Sequence, residues 1–493
     1  MSDARRLRDR RALILLFLAG LLAVQVHWLF GVLALWIIIL GQLEHRGVLD
    51  RIDATRVLGG ILMVRTRRGQ RALEKLAKPR LAWRIFGEIS LWTCALSMAV
   101  IILFLLLSFG SAILFGVPKA EAPPSQLILI PGVNPVIPFW WPLIAIIGAL
   151  VIHEYGHALQ ARAHGMRVRS FGLLMLGPLP LGAFAEPEAE ELFKAPRRER
   201  ARMFAAGPSI NIYAALFTWL LIGALATQFA AADPGVHASA IIEGTPADEA
   251  GLEPWEIITH LNGTAVTTSA EMSDALASHS AGETVQLDVL SRPDADGVRV
   301  GRTVELVLAD KYEYHQQQNI SEEDLASSGI EKGDAFLGVS GMAGGTSGID
   351  RLAGPDLPWW GDMLYTPVQI FVIISTPIQN EGQIMDPHEM DYLEADGLLG
   401  NLLGIEVMLA LITCLFWFVW MNLGLGFANL IPMIPFDGGH LMKDFISNVV
   451  ERLNKFSKAP HPLKVEPIVN RISSMSSMLL LFGLLALMIA QYI

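Results

Sequence analysis

The chain has 493 residues, 52% of them hydrophobic and only 17% charged, with a formal net charge of −11 and a mean hydropathy of +0.44. That balance excludes an ordinary soluble domain and fits a membrane protein with room for several spans and one extramembrane domain; no nucleic-acid partner is expected. Two cysteines, Cys94 and Cys414, both inside apolar runs, exclude a disulfide framework or a cysteine-ligated metal and read as small hydrophobes.

In chain order, the first apolar run covers 12–40, behind five arginines and without a small-residue cleavage site, so no cleavable signal peptide is expected. The run is long for one helix and short for two. Basic clusters at 5–11 and 46–84 flank it on both sides, which favours a tight hairpin turning near Val26-His27-Trp28. Single spans are expected at 85–115, 142–163, 203–230, 407–428 and 474–492, at about 20 residues per crossing. Residues 233–400 hold 29 acids and six bases, whereas the remainder holds 19 acids and 31 bases. The positive-inside rule then places the basic loops and the N-terminus in the cytoplasm and the acidic stretch outside the cell.

Between the spans, residues 170–188 (SFGLLMLGPLPLGAFAEPE) are apolar but crowded with Gly and Pro, which fits a hairpin better than a helix. Such irregular backbone is tolerated at membrane depth only where protein or a wet cavity surrounds it. Short β-type runs around one helical stretch, 269–279, mark a small domain over 233–310. Residues 311–400 read as a partly ordered acidic linker. Within them, 363–378, broken by Pro367 and Pro377, reads as an interfacial segment. The expected fold is a multi-pass α-helical protein of the cell membrane, about six or seven spans, with a β-rich extramembrane domain. Its parts are a hairpin and basic loop (1–84), a membrane core (85–232), the small domain (233–310), the linker (311–400) and a second membrane core (401–493).

The chemistry concentrates inside the 142–163 run, at His153-Glu154-Tyr155-Gly156-His157. Histidines at i and i+4 share one helix face and can grip one Zn²⁺, while Glu154 can take a proton from the water that the ion activates. Ionisable groups at membrane depth are costly and usually functional. A third ligand is needed, and Asp437 is the lone carboxylate between Pro435 and Gly438, at the end of a span that runs parallel to the first. Asn211 and Asn429, amides at membrane depth, are candidate donors to substrate backbone or a developing oxyanion; an interhelical hydrogen bond is the competing reading for each. Glu186 reads as a turn cap or a substrate contact, His164 as interfacial, His440 as a neighbour of the site, and Glu406 as solvated at the mouth of its span.

Four features occur in the order seen in the site-2 protease family of intramembrane zinc metalloproteases. They are the HEYGH helix, Gly207-Pro208-Ser209-Ile210-Asn211, an insert over about 236–310 that resembles a PDZ domain (Gly244-Thr245-Pro246-Ala247 onward), and Asn429…Pro435-Phe436-Asp437-Gly438-Gly439. Residues 131–135 (PGVNP) and 182–187 look like archaeal members. The resemblance covers roughly 57–440 and departs from bacterial relatives at Phe436, where Leu is common; the change is apolar. It implies one zinc per chain held by His153, His157 and Asp437, with Glu154 as base. The implied substrate is a single-span membrane protein in the bilayer, and the PDZ-like insert would take a peptide or chain terminus. The competing readings are a catalytically silent membrane scaffold and a membrane-anchored protease of soluble peptides.

Overall fold

The computed structural model describes residues 20, 28–67, 69–120, 123, 126, 131–132, 134–177, 179–294, 297–354, 359–456 and 465–492. The principal helices among them are α1 (Trp28–His45), α2 (Gln70–Leu76), α3 (Arg80–Phe115), α4 (Trp140–Ala163), α5 (Arg197–Ala226), α6 (Ser269–Ala277), α7 (Trp359–Gln379), α8 (Ile405–Asn429), α9 (Asp437–Phe456) and α10 (Val465–Ala490). Five of these, α3, α4, α5, α8 and α10, are long and apolar enough to cross a membrane. In lipid an apolar run must satisfy its own backbone, and the helix does so within one segment. The second arm expected for the N-terminal hairpin is α1, whose described apolar part, Gly31–His45, is shorter than those five. The first arm and the turn near Val26 lie outside the described residues. With 36 residues, α3 is roughly 54 Å long and exceeds a hydrocarbon core of about 30 Å, so turns at its ends stand in the headgroup layer or beyond.

The chain divides into two compact units. The first comprises Met1–Asn134, Pro138–Phe217 and Trp417–Ile493. It contains an antiparallel sheet of β1 (Ala54–Val57), β2 (Ile61–Thr66), β3 (Val168–Leu176) and β4 (Leu179–Pro187), ordered β1-β2-β3-β4. The Gly/Pro-rich hairpin is thus half of a larger sheet. Its other half comes from residues read above as a basic loop, where Leu58 and Gly59 turn the chain at φ 48° and 78°. Arginines at the ends of β1 and β2 hid this short hairpin.

Close packing brings α4 and α5 together. A Cβ on Gly156 would stand 2.8 Å from the Ala206 carbonyl oxygen, so a glycine is required at this crossing. At the polar end of α5, Arg202 pairs with Glu88 of α3 at 2.5 Å, and Arg200 and Arg197 pair with Asp444 and Glu451 of α9 at 2.8 and 2.5 Å.

The second unit, Pro135–Ile137 and Thr218–Phe416, is built on a six-stranded antiparallel sheet. Its strands are β5 (Val236–Ile241), β6 (Ile257–Leu261), β7 (Thr264–Ala265), β8 (Thr284–Leu290), β9 (Gly301–Val307) and β10 (Val339–Gly344). Val285, Leu287 and Val289 alternate into its core opposite Val304 and Leu306, the period of two expected of half-buried strands. Helix α6 opens with a capping box between Thr268 and Glu271.

The expected linker at 311–400 is folded. Strand β10 closes the sheet against β5, Val339 opposite Ile241 and Gly344 opposite Val236, so the boundary drawn at 310 cuts through one domain. Five glycines fall between 338 and 348, which lowered the strand signal in the sequence. Residues 363–378, read as an interfacial segment, lie in the continuous helix α7, which accommodates both Pro367 and Pro377.

Candidate metal and catalytic centre

Helix α4 carries His153 and His157 one turn apart, so both imidazoles leave the same face. Asp437 comes from the first turn of α9, just beyond the Pro-rich loop that follows α8. The His153 Nε2 lies 3.2 Å and the His157 Nε2 3.3 Å from the Asp437 Oδ2, and the two Nε2 atoms are 3.1 Å apart. Three ligand atoms each about 2.0–2.2 Å from a tetrahedral ion stand roughly 3.3–3.5 Å from one another. The observed triangle needs only slight expansion.

Hydrogen bonds on the far side of each ring decide which nitrogen is free. The His153 Nδ1 lies 2.7 Å from the Asn211 Oδ1, and the His157 Nδ1 lies 2.7 Å from the Met203 carbonyl oxygen. Both oxygens only accept, so each Nδ1 donates its proton and each Nε2 presents a lone pair to the centre. The Asn211 side chain is itself held, its Nδ2 donating to the Ala149 carbonyl at 3.1 Å and to the Asn422 Oδ1 at 2.7 Å. Asn422 in turn donates to the Phe418 carbonyl at 2.8 Å. Such outer partners fix ring orientation and raise ligand basicity.

Space is reserved as well as charge. A Cβ on Gly207 would sit 2.3 Å from the His157 Nε2 and 2.7 Å from the His153 Nε2. Two buried neutral lone pairs and a half-buried carboxylate, gathered beside an open glycine, are a costly arrangement without a cation. The donor set of two imidazoles and one carboxylate suits zinc.

The Glu154 side chain reaches the sheet instead, where its Oε2 accepts from the Ala185 N–H of β4 at 2.6 Å. A cavity of about 230 Å³ adjoins it, walled by Val64, Val151, Tyr155, Phe171, Leu173 and Phe184. Beyond β4 no further strand pairs among the described residues, and the Ala185 N–H on that edge is held by Glu154.

The structure therefore gathers His153, His157 and Asp437, with Asn211 behind His153 and Glu154 beside them. Asn429 is elsewhere engaged, its Nδ2 donating to the Leu425 carbonyl of its own helix at 3.1 Å. Glu186 accepts from the Ser170 hydroxyl at 2.8 Å across β3 and β4. His164, expected at the interface, is buried at the end of α4, 3.6 Å from Glu199. His440 stacks on Phe204 with centroids 4.5 Å apart. Glu406 lies in the first turn of α8. Sequence reasoning missed Asn422 and the Met203 carbonyl, and read Gly207 only as part of a family motif; of the two missed, only Asn422, a lone amide in the apolar run 407–428, carried a signal.

Curated relatives share stretches of this sequence. An uncharacterized protein of Methanocaldococcus jannaschii is 33% identical over 158 residues, 32% of this chain and 42% of the relative. The zinc metalloprotease RasP of Shouchella clausii is 25% identical over 252 residues, half of each chain. The metalloprotease MmpA of Caulobacter vibrioides is 22% identical over 372 residues, 62% of this chain and 84% of the relative. The chain spans about half the length of the first two relatives. Residues 141–480, well over half of the chain, match the model of peptidase family M50, the site-2 protease family, and the chain belongs to it.

Proposed function

We propose that the chain is an intramembrane zinc metalloendopeptidase that cleaves a peptide bond within or near the transmembrane segment of a single-span membrane protein. The observation that carries this reading is the convergence of three ligand atoms within 4.8 Å, two of them on α4, a helix apolar enough to span. His153, His157 and Asp437 would hold the ion. When bound, zinc supplies a Lewis acid that polarises a carbonyl and acidifies a water. Glu154 accepts the proton of the attacking water and returns it to the leaving amine. The Ala185 N–H orients the Glu154 carboxylate in the resting enzyme. Asn211 orients His153, so it is a positioning residue rather than a substrate contact.

A helical substrate hides its peptide groups and must unwind before reaction. The unpaired edge of β4, apart from the Ala185 N–H held by Glu154, offers backbone hydrogen bonds to the unwound stretch, and the 230 Å³ cavity beside Glu154 accepts an apolar side chain. The 236–344 sheet is read as the PDZ-like domain, binding a peptide or chain terminus. A silent scaffold has no use for a three-ligand centre with a carboxylate beside it.

Purified Glu154→Gln protein tests the assignment: it should keep its zinc and lose turnover of a cleavable model span. Measurable turnover would remove Glu154 as base, and a metal-free wild type would remove the reading altogether. Orientation rests on charge, with the acidic 233–400 stretch outside and the basic loops in the cytoplasm. An impermeant thiol reagent should reach Ser278→Cys from outside only and Ser457→Cys from inside only. Labelling of both from one side contradicts it.

A further inference from the structure

A cavity of about 400 Å³ opens where α2 runs into α3, lined by Glu74, Lys75, Ala77, Lys78, Arg80 and Arg162. Four bases face one acid, and that acid is already taken: Glu74 pairs with the Arg162 Nη2 at 2.8 and 2.9 Å. Lys75, Lys78 and Arg80 are exposed and form no ion pair among the described residues. The buried Nε of Arg162 likewise has no hydrogen-bond partner among them. Three uncompensated cations around one concavity repel one another, and an anion seated there relieves that repulsion. Arginine forks match phosphate oxygens in particular.

The neighbouring surface says what carries the phosphate. Next to Arg80, α3 exposes Leu81, Ile85, Ile89 and Trp92, a stripe at helical spacing that continues into the apolar part of the span. The polar first turns of α3 stand at headgroup depth, by the length argued above. A free phosphate would use the cations and leave the stripe idle. A phospholipid uses both.

We propose that this cavity binds the phosphate of an anionic glycerophospholipid, with the acyl chains lying along the Leu81–Trp92 face of α3. Basic pockets at the cytoplasmic ends of spans are suited to such headgroups. The site touches the metal-bearing helix, because Arg162 lies on α4 five residues after His157 and donates to the Met166 carbonyl at 3.1 Å. A bound headgroup therefore braces the end of α4. The inference does not depend on proteolysis.

Native mass spectrometry of the delipidated full chain tests it, with phosphatidylglycerol, phosphatidylcholine of the same acyl chains, and inorganic phosphate as the three probes. Phosphatidylglycerol should be retained and the other two should not. At roughly fivefold per base, Lys75→Gln/Lys78→Gln/Arg80→Gln should weaken retention about a hundredfold, and Lys78→Gln alone about fivefold. Lys78→Gln alters one exposed side chain, so it keeps the test decisive if the triple variant does not fold. Removing three bases from the acidic region (Arg292→Gln/Lys311→Gln/Lys332→Gln) should change nothing. Equal retention of phosphatidylcholine, or undiminished binding by the cavity variants, overturns the proposal. Inorganic phosphate displacing the lipid at equal concentration would overturn the lipid and leave a free-anion site.

Discussion

The 236–344 sheet buries one continuous apolar cluster running from Val236 through Met272 and Leu287 to Leu337, whereas the helices around His153 bury amides and imidazoles beside a half-buried carboxylate. For a sheet that folds in water each buried Å² of apolar surface contributes roughly 25 cal/mol, so alternating Val and Leu suffice to hold it. Helices in lipid gain nothing comparable from meeting, because the tails are as apolar as leucine. They associate through small residues such as Gly156 and Gly207, and each interhelical hydrogen bond adds only about 0.6 kcal/mol. Asn211 and Asn422 are therefore poorly explained as glue. Their value lies in the orientation of His153, so damage to them should appear in metal binding before it appears in folding.

The largest contrast comes from Asp437. Losing a ligand removes one of three anchors, whereas losing its neighbour His440 removes only a stacking partner of Phe204. Asp437→Ala should purify without zinc and His440→Ala with most of it, read by metal analysis of folded protein. Equal zinc in both variants would dissolve the distinction between ligand and neighbour.

A smaller effect is expected at Asn211. Removing an outer hydrogen-bond partner of a metal-binding histidine typically costs about 10- to 100-fold in affinity. Asn211→Ala should fall in that range by competition with a chelator, with little change in thermal unfolding. Asn422→Leu, one bond further out, should weaken zinc less. If Asn211→Ala unfolds the protein and leaves affinity in the surviving fraction intact, the amide is structural after all.

The contrast also explains what could be read from the sequence. Apolar runs of about 20 residues dictate helices, so α3, α4, α5, α8 and α10 lie close to where they were expected. The HEYGH spacing placed two imidazoles on one face, and a lone carboxylate among prolines was conspicuous at Asp437. Short elements were harder. The β1–β2 hairpin is bounded by arginines, and β10 is rich in glycine, so neither shows a clean alternation. Asn429, read as a substrate donor or an interhelical amide, instead donates to the Leu425 carbonyl of its own helix, a bond that sequence spacing alone does not reveal. Gly207 stood out only as part of a family motif; its steric role was hidden, since the need for an absent side chain arises only from what packs against it.

The same contrast predicts where acid should act. In the second unit His237 is buried between the rings of Trp255 and Tyr392, with centroids 5.4 and 4.6 Å away. Burial pushes its pKa down from the ordinary 6.5 to about 4; Glu389 and Asp386 pull it up, and Arg351 and Arg299 add to the depression. The unfolded strand takes up a proton near pH 6.5 that the folded one refuses until about pH 4, so stability is lost as pH falls through that window. Between pH 7.5 and 5.5 the opening equilibrium of β5 should rise about tenfold, a figure set by the ordinary histidine value and unchanged for any folded value below about 5. Hydrogen exchange of the 236–241 amides in the full chain, corrected for intrinsic rate, measures it, and His237→Gln should flatten the dependence. A pH response of the same size in His237→Gln would move the titration to another group. The exchange of α4 should stay level across that range when zinc holds both of its histidines, because a metal-bound imidazole has no proton to gain.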